Sequence, residues 1–297
     1  MGSRHLGRVY GLLLLMTLLW GVNYVAAKIA LRHFPALLFS PLRILVAGAL
    51  LFPLFAWQAS HRPAWASWPR RDELPRLVML GLFGVALNQI LFILGMQRTS
   101  AAHAALVFTT LPMQVLLMAA WRGHERVRKA KLAGMAVAAG GVAVLNLAPG
   151  AEASGASSLG DLLIFGAALC FAFFTVGSKE ATQGHGGLTV TTFAHLASMA
   201  GVLPLALGTG WNFAWSAVPA EGWLTLAYMA LFPSMVCYLI FYYALNHVPA
   251  SRVASFSYLQ PLISAVSALY VLSEPITASL ILGGALILSG VWISQRF

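Results

Sequence analysis

Three side chains that could bind a small solute lie on one face of an apolar stretch near the start of the chain. They are Trp20, Asn23 and Tyr24. The amide and the phenol can hydrogen-bond a polar head group, and the indole ring offers an apolar wall. If the stretch spans a membrane, polar groups are costly there and mark a candidate site. The structural alternative is that Asn23 bonds a neighbouring helix while Trp20 anchors its helix at the membrane surface.

Matching groups occur in two apolar segments that lie far apart in the chain. The segment ALNQILF carries Asn88, Gln89 and Phe92, while MVCYLIF carries Tyr238 and is followed by Tyr242. An amide wall facing an aromatic wall would suit a solute with a polar head and an apolar side group. Packing or lipid contact is the structural alternative for the aromatic rings. The other candidate binding residues are Thr109, Phe171, Phe174, Tyr258 and Gln260.

Four basic side chains near or within apolar segments are candidates for gating or for attracting an anion: Lys28, Arg43, His103 and Arg252. The structural alternative is that they reach the water at the membrane surface or bond helix carbonyls. Proton relays within membranes commonly use a carboxylate, and none is expected here, so weak or absent proton coupling is predicted. The eight acidic residues all lie in gaps or at helix ends: Asp72, Glu73, Glu125, Glu152, Asp161, Glu180, Glu221 and Glu274.

Catalytic motifs are missing from the sequence. We find no P-loop, HExxH pair, nucleophile elbow, CxxC motif or His, Asp and Glu cluster with metal-ligand spacing. His195 and Ser198 have no carboxylate that would complete a hydrolase triad. Cys170 and Cys237 lie in apolar runs, as small buried residues do. The sequence therefore predicts no enzyme, no cofactor and no metal site.

Composition places these residues in a membrane protein. The chain has 297 residues, of which 60% are hydrophobic and 9% charged, and its mean hydropathy is +0.81. A soluble domain carries about 25% charged residues. The net charge of +10 comes from basic residues in short gaps between apolar runs. This pattern favours the lipid bilayer as partner and disfavours nucleic acid.

Ten apolar segments are long enough to span a bilayer, for which a helix needs about 20 residues. The first is too long for a signal peptide. A Gly-, Ala- and Ser-rich linker at 149–158 divides the segments five and five, into units 1–148 and 159–297. The ten segments are 9–31, 37–57, 75–96, 101–121, 130–148, 159–179, 189–208, 222–245, 251–272 and 277–295.

The distribution of Lys and Arg predicts the orientation. With the N-terminus in the cytoplasm, fourteen of the 18 basic residues fall on the cytoplasmic side, as the positive-inside rule requires. Both termini are therefore predicted to be cytoplasmic. The fourteen are Arg4, Arg8, Arg62, Arg70, Arg71, Arg76, Arg122, Arg126, Arg128, Lys129, Lys131, Lys179, Arg252 and Arg296.

The second half of the chain repeats the first. At an offset of 149 residues Pro112 aligns with Pro261, and Glu125 aligns with Glu274. Five segments per copy is an odd number, so the second copy is expected to cross the membrane in the opposite direction. Prolines that break helices at matching places in inverted halves predict a central cavity, with a simple packing kink as the alternative. Gly134 also aligns with Gly283, and Gly141 with Gly290.

Several stretches resemble a known family. LLWGVNYVAAKIAL (18–31) and SPLRILVAGALLF (40–52) resemble the first two helices of EamA-type transporters in the drug/metabolite transporter superfamily. The segments 94–117 and 243–266 are similar to later helices of both repeats. The resemblance implies an all-α integral membrane fold, with ten transmembrane helices in two inverted five-helix repeats around a central cavity. It also implies alternating access and small metabolites as substrates, often amino acids moved outward.

Two further classes of function stay open at this point. One is a multidrug or organic-cation exporter, for which Phe171, Phe174, Tyr238 and Tyr242 could form a permissive wall. The other is a lipid scramblase or membrane enzyme. Glycines in the last helix of each unit favour close helix packing within the chain or in a homodimer. The expected location is the bacterial inner membrane.

Overall fold

Helices and helical turns form all the regular structure that the computed structural model describes. It describes residues 3–61, 67–124, 129–147, 157–181, 186–274 and 276–296. Predictions that fall on other residues, including Arg62, Glu125 and most of the linker 149–158, lie outside the described part.

The first half contains α1 (Ser3–His33), α2 (Ala36–His61), α3 (Leu74–Gly81), α4 (Asn88–Met96), α5 (Ala101–Phe108), α6 (Leu111–Trp121) and α7 (Lys129–Leu147). The second half contains α8 (Ser158–Ala181), α9 (Gly187–Gly210), α10 (Ala220–Leu231), α11 (Cys237–Leu245), α12 (Ala250–Ser255), α13 (Gln260–Leu272) and α14 (Ala278–Arg296). Wide π-helical turns at Leu82–Leu87 and Phe232–Val236 join α3 to α4 and α10 to α11. Tighter 3₁₀ turns occupy Trp215–Ala217 and Phe256–Leu259.

Eight helical stretches of the described chain are long and apolar enough to cross a membrane. Large apolar side chains such as Leu162, Leu207 and Leu224 are exposed on the outside of the bundle, where lipid would cover them. The chain is therefore built as a multi-pass membrane protein. The eight stretches are Leu6–His33, Ala36–His61, Leu74–Met96, Ala101–Trp121, Ser158–Lys179, Gly187–Gly210, Ala220–Leu245 and Ala250–Leu272.

Helix breaks precede both of the prolines that the repeat aligns. Pro112 and Pro261 each lie in the first turn of a new helix, where a missing N–H costs no hydrogen bond. In the first half the break is a turn at Thr109 and Thr110. Their hydroxyls donate to the carbonyl oxygens of Leu106 (2.5 Å) and Val107 (2.9 Å), respectively. These carbonyls are therefore satisfied within the helix.

The two π-helical turns lie at matching places in the two halves, 150 residues apart at their first residues, Leu82 and Phe232. Gly84 lies in the first turn, and a Cβ there would come 2.2 Å from Cδ2 of Phe174. Glycine at this position thus lets α8 approach closely. In the second turn, the carbonyl oxygen of Pro233 accepts a hydrogen bond from Nε1 of Trp20 at 3.1 Å.

Helices that occupy equivalent positions in the two halves pack antiparallel. In α2 and α9, the Thr209 hydroxyl reaches the Leu37 carbonyl at 3.5 Å, while Gly48 lies against Met199. Rising residue numbers in one helix therefore meet falling numbers in the other.

The pair α7 and α14 follows the same rule with closer contact. A Cβ on Gly141 would come 2.7 Å from the Gly283 carbonyl oxygen, and one on Gly290 would come 2.4 Å from the Gly134 carbonyl oxygen. These glycines let the two backbones touch, as small residues do in membrane helix pairs. The glycine faces of the two helices are thus used within the chain.

Candidate functional site

A cavity of about 60 Å³ lies near the middle of the long helices. Its lining comes from both halves of the chain, through α1, α2, α4, α5 and α6 on one side and α8, α11 and α13 on the other. Twelve residues line it: Trp20, Asn23, Tyr24, Arg43, Asn88, Gln89, Phe92, Phe108, Leu111, Phe171, Tyr238 and Gln260.

The structure brings most of the sequence-predicted binding residues together around this cavity. Trp20, Asn23, Tyr24, Asn88, Gln89, Phe92, Phe171, Tyr238 and Gln260 all belong to the lining. Their role in binding substrate stays a prediction. Sequence reasoning missed Phe108 and Leu111, although both flank the break that Pro112 indicates and that signal could have found them.

One wall of the cavity is aromatic. The ring of Trp20 meets Phe171 edge-on, with ring centroids 5.5 Å apart and an interplanar angle of 88°. Tyr238 lies 6.2 Å from Trp20 and 6.0 Å from Phe171, again edge-on. Such edge-to-face contacts are favourable and hold ring orientations. The wall is therefore an ordered apolar surface rather than a set of loose side chains.

Two hydrogen bonds tie polar residues of the lining to the other half of the chain. The hydroxyl of Tyr24 donates to Oε1 of Gln260 at 3.1 Å, which links α1 to α13 across the two halves. Nδ2 of Asn88 donates to the Ala167 carbonyl oxygen at 2.7 Å, which ties α4 to α8. These bonds shape the cavity, because each fixes a side chain against a helix of the other half.

Two other amides in the lining are not satisfied. Oδ1 of Asn23 and Oε1 of Gln89 are buried without a hydrogen-bond donor, and Nε2 of Gln89 makes no well-aligned hydrogen bond although its side chain interacts with the Tyr238 hydroxyl. A buried polar group left without a partner costs about 1–3 kcal/mol. Such groups are expected where a ligand or water supplies the missing bond. The arrangement is therefore suited to binding a polar solute.

Arg43 lies in the cavity wall. The sequence placed it near the outer end of its helix as a gate or anion-attracting group, but its side chain is buried, at 4% exposure, and lines the cavity. Its Nε donates to Oγ of Ser234 at 2.7 Å. Ser234 belongs to the wide turn Phe232–Val236. No Asp or Glu within the described ranges forms an ion pair with Arg43.

Four of the predicted binding residues lie outside the lining. The hydroxyl of Thr109 is bonded to the Leu106 carbonyl instead. Phe174 is fully buried against Gly84, and its ring packs behind Tyr238 with the ring centroids 5.5 Å apart. The Tyr242 hydroxyl bonds Ser178 Oγ at 3.2 Å. Tyr258 packs with Leu106 and Ile287 in a separate apolar cluster. The spacing of these four residues along their helices was compatible with facing the cavity, but their side chains pack or bond against other parts of the chain.

The remaining gate candidates lie apart from the cavity. Lys28 is half-buried and borders a separate space of about 320 Å³, together with Arg32 and Glu274. Arg252 is exposed, and its Nη1 lies 3.5 Å from the Tyr10 hydroxyl. These two positions fit the structural alternative of side chains at the ends of helices.

His103 differs from the expectation that it reaches water. It is buried at 4% exposure, and its Nε2 lies 3.4 Å from Oδ2 of Asp161. Asp161 is in the first turn of α8, as predicted for an acidic residue at a helix end, but it is also buried. The two residues are 58 positions apart in sequence, so only the tertiary structure reveals the pair.

The described residues contain no group of three His, Cys, Asp or Glu side chains that could hold a metal ion. A model of the EamA-like transporter family matches residues 7–147 and again residues 158–295. The chain belongs to the EamA-like transporter family. This family consists of transporters and is not an enzyme family, and the EamA protein described here is a multi-pass membrane protein.

This EamA protein is similar to curated transporters, and the similarity extends over most of both chains. It is 26% identical to the uncharacterized transporter YetK of Bacillus subtilis, over 92% of this chain and 82% of that protein. It is 28% identical to an uncharacterized transporter of Archaeoglobus fulgidus, over 95% and 96% of the two chains. It is 27% identical to a probable terminal-alkyne amino-acid exporter of Streptantibioticus cattleyicolor, over 96% and 92%.

A solved crystal structure of another protein shares the fold. The TM-score is 0.71 at 19% identity, over 97% of this EamA protein and 98% of the other chain. At that identity the likeness concerns the fold alone. The arrangement of helices described above is therefore one that another chain adopts over its whole length.

Proposed function

We propose that this EamA protein is a secondary transporter that exports small metabolites, amino acids or related compounds, across the bacterial inner membrane by alternating access. The central cavity carries the proposal, because it joins buried amide oxygens without donors to an ordered aromatic wall near the middle of the spans. The relative named as a probable amino-acid exporter supports the choice of substrate class.

The proposed architecture has ten spans in two inverted repeats, 1–148 and 159–297. In this proposal the ten crossings are the eight long apolar stretches together with α7 and α14. The family model matches the chain twice, and the equivalent helices α2 and α9 run antiparallel, which supports the inversion. A fixed site between inverted repeats is the usual arrangement for alternating access.

Both termini are proposed to be cytoplasmic. Three basic side chains form hydrogen bonds at the end of the bundle where the N-terminus lies, two with backbone carbonyls and one with Tyr10. Arg76 donates to the Gly177 carbonyl (2.8 Å), Lys179 to the Val248 carbonyl (3.0 Å), and Arg252 approaches Tyr10. Their collection at one end supports the positive-inside orientation. A homodimer would need a surface other than the glycine faces of α7 and α14, since these already contact each other.

In the proposed cycle, a solute enters the cavity from one side and replaces water around Asn23 and Gln89. Its apolar part lies against Trp20 and Phe171. The bond between Tyr24 and Gln260 joins the two halves at this level, so it has to break and re-form as the halves move. Coupling to protons is not part of the proposal, because no carboxylate among the described residues lines the cavity.

The test is export of a labelled panel of the twenty amino acids from loaded proteoliposomes that contain the purified protein. We expect transport of a subset with polar heads and apolar side groups. Gln89→Ala and Tyr238→Ala should reduce it, whereas Gln114→Ala should not. Gln114 is a buried amide bonded to Thr110 at 3.2 Å and outside the cavity lining.

Two results would contradict different parts of the proposal. If the wild-type protein moves no amino acid, the substrate class is wrong. If all four proteins export equally well, Gln89 and Tyr238 do not belong to the site.

The aromatic wall also favours a second candidate, an exporter of lipophilic cations. Rings such as Trp20 and Tyr238 attract cations through their faces. Tetraphenylphosphonium in the same assay separates the two candidates, since a cation exporter moves it and an amino-acid exporter does not.

A further inference from the structure

We propose that Arg43 binds the carboxylate of the transported solute, so that the cavity selects small monocarboxylates with an apolar side group. The inference deepens the proposed function and rests on it. It identifies which part of the solute is recognised and by which residue.

The charge of Arg43 has no counter-charge within the described chain. Arginine stays protonated in proteins, and Arg43 is buried and lines the cavity. No carboxylate from the described chain pairs with it. A buried charge that lacks a counter-charge is costly unless a partner supplies one. A solute carboxylate in the adjoining space would supply it.

The guanidinium of Arg43 is held through its Nε, which leaves its other donors open. Ser234 accepts from Nε at 2.7 Å, and that bond fixes the plane of the group. The two terminal nitrogens make no hydrogen bond to the described residues. A guanidinium presents its donors in a rigid fork that fits a carboxylate with two parallel bonds. The donors that fit a carboxylate are thus the ones left open.

The contrast with other basic residues supports this assignment. Nζ of Lys179 donates to the carbonyl oxygen of Leu245, the last residue of α11, and to that of Val248 in the turn that follows. Arg76 likewise donates to the Gly177 carbonyl. These groups compensate partial negative charge on the backbone. Arg43 has only a neutral hydroxyl as partner, so its charge is available to a ligand.

The rest of the cavity fits a solute of this class. Oδ1 of Asn23 and Oε1 of Gln89 lack donors, so they could accept from the ammonium of an amino acid. Phe92 and Leu111 offer apolar surface for a side group. One carboxylate balances one guanidinium, whereas a phosphate dianion would leave excess negative charge in the cavity. A monocarboxylate is therefore favoured over a phosphate ester.

The test compares the binding of compounds that share one apolar side group and differ only in their amino or carboxyl group. The purified protein in detergent is heated with leucine or phenylalanine, with their N-acetyl derivatives, and with leucinamide or phenylalaninamide. Ligand binding raises the midpoint of thermal unfolding by mass action. We expect the free and N-acetylated acids to bind at least roughly tenfold more tightly than the amides, since the amides lose the charged hydrogen bonds. Phosphoethanolamine is the phosphate probe and should give no shift.

The outcomes separate this inference from the proposed function. If the amides bind as tightly as the acids while amino acids are exported, the role of Arg43 is wrong and the proposed function stands. A shift with phosphoethanolamine equal to that with the acids would also overturn the choice of carboxylate. If no head group binds and no amino acid is exported, the proposed function fails and this inference fails with it.

Variants at position 43 test whether Arg43 causes the preference for acids over amides. Arg43→Lys keeps a charge but lacks the fork, so it should keep the preference for acids over amides with weaker binding. Arg43→Gln should lose the preference. Arg76→Gln is the matched control, because it removes a cation that bonds the Gly177 carbonyl and lies outside the cavity lining, and it should keep the wild-type preference. If Arg43→Gln does not fold, Arg43→Lys and the wild-type comparison still decide the matter. A preference unchanged in Arg43→Gln would overturn the assignment.

Discussion

The central cavity and the contact between α7 and α14 are opposite solutions to helix packing in one bundle. In the cavity, large side chains keep helices apart, and Asn23, Gln89 and Arg43 retain unused polar atoms. Between α7 and α14, Gly141 and Gly290 bring backbones together and leave no room for a Cβ. The difference separates a region in which buried polar atoms are left without partners from one in which the two backbones are in direct contact. Mutations in the two regions should therefore have opposite signatures.

The largest effect is expected from Gly141→Val. Its Cβ would lie 2.7 Å from the Gly283 carbonyl oxygen and 2.9 Å from the Ile287 nitrogen, and these backbone atoms cannot move aside easily. We expect a loss of stability on the order of 3 kcal/mol, seen as a lower thermal midpoint and a lower yield. Gly140→Val is the control, since nothing lies within 4 Å of a Cβ at the neighbouring position. Equal stability of the two variants would contradict the close contact.

Gln89→Leu should show the reverse pattern. The substitution removes a buried amide whose Oε1 has no donor and whose one polar interaction, with the Tyr238 hydroxyl, is not well aligned, so the free energy of unfolding should stay constant or rise by up to about 1 kcal/mol. Transport should fall roughly tenfold, because the solute loses its hydrogen bonds there. Efflux and thermal midpoint are measured on the same preparation. Gln114→Leu provides the matched amide outside the cavity, and a similar loss of transport in that variant would remove the contrast.

The buried pair His103 and Asp161 lies outside both the cavity lining and the α7–α14 contact. Mutating it shows whether it serves stability or transport. Both residues are buried, but each has the other within 3.4 Å, so we expect the pair to stabilise the fold. Asp161→Asn should lower stability by roughly 1–3 kcal/mol and leave transport per folded molecule unchanged. Uptake into proteoliposomes should not respond to an imposed pH gradient. Gradient-driven uptake that Asp161→Asn abolishes would show that the pair carries a proton.

The smallest effect is expected from Trp20→Phe. A phenylalanine ring at position 20 would still contact Phe171, but the hydrogen bond from Nε1 of Trp20 to the Pro233 carbonyl oxygen would be lost. We expect destabilisation of about 0.5–1.5 kcal/mol and a modest change in transport. Trp211→Phe, at an exposed position, is the control for replacing an indole. A stability change no larger at position 20 than at 211 would argue against the bond.

The sequence was sufficient to predict the helices and much of the cavity lining, because hydropathy and helical spacing are local signals. Asn88 and Gln89 were found as polar residues in an apolar run, and the pair Pro112 and Pro261 indicated the breaks. Residue depth was not predictable in the same way. Arg43 was expected near a helix end, but it is buried and bonds Ser234, a partner 191 residues away that no local pattern could indicate.

The missed and misplaced residues have a common physical cause. Phe174 and Tyr242 share a helical face with true lining residues, but the space left by Gly84 and Gly187 draws them into packing. Thr109 had a spacing suited to the cavity, yet a carbonyl one turn earlier takes its hydroxyl. Spacing identifies a face, whereas the contents of the opposite helix decide what that face contacts.

The turn at Thr109 and Thr110 has a kinetic consequence. Rotatable hydroxyls cover the carbonyls of Leu106 and Val107, so α5 and α6 can change their mutual angle as two stiff rods without exposing bare acceptors to hydrocarbon. The equivalent residues of the second half, Tyr258 and Leu259, have no short hydroxyl and lie in a 3₁₀ turn. The two joints are therefore expected to differ in stiffness, and in the proposed alternating-access cycle the two faces of the protein should open at unequal rates.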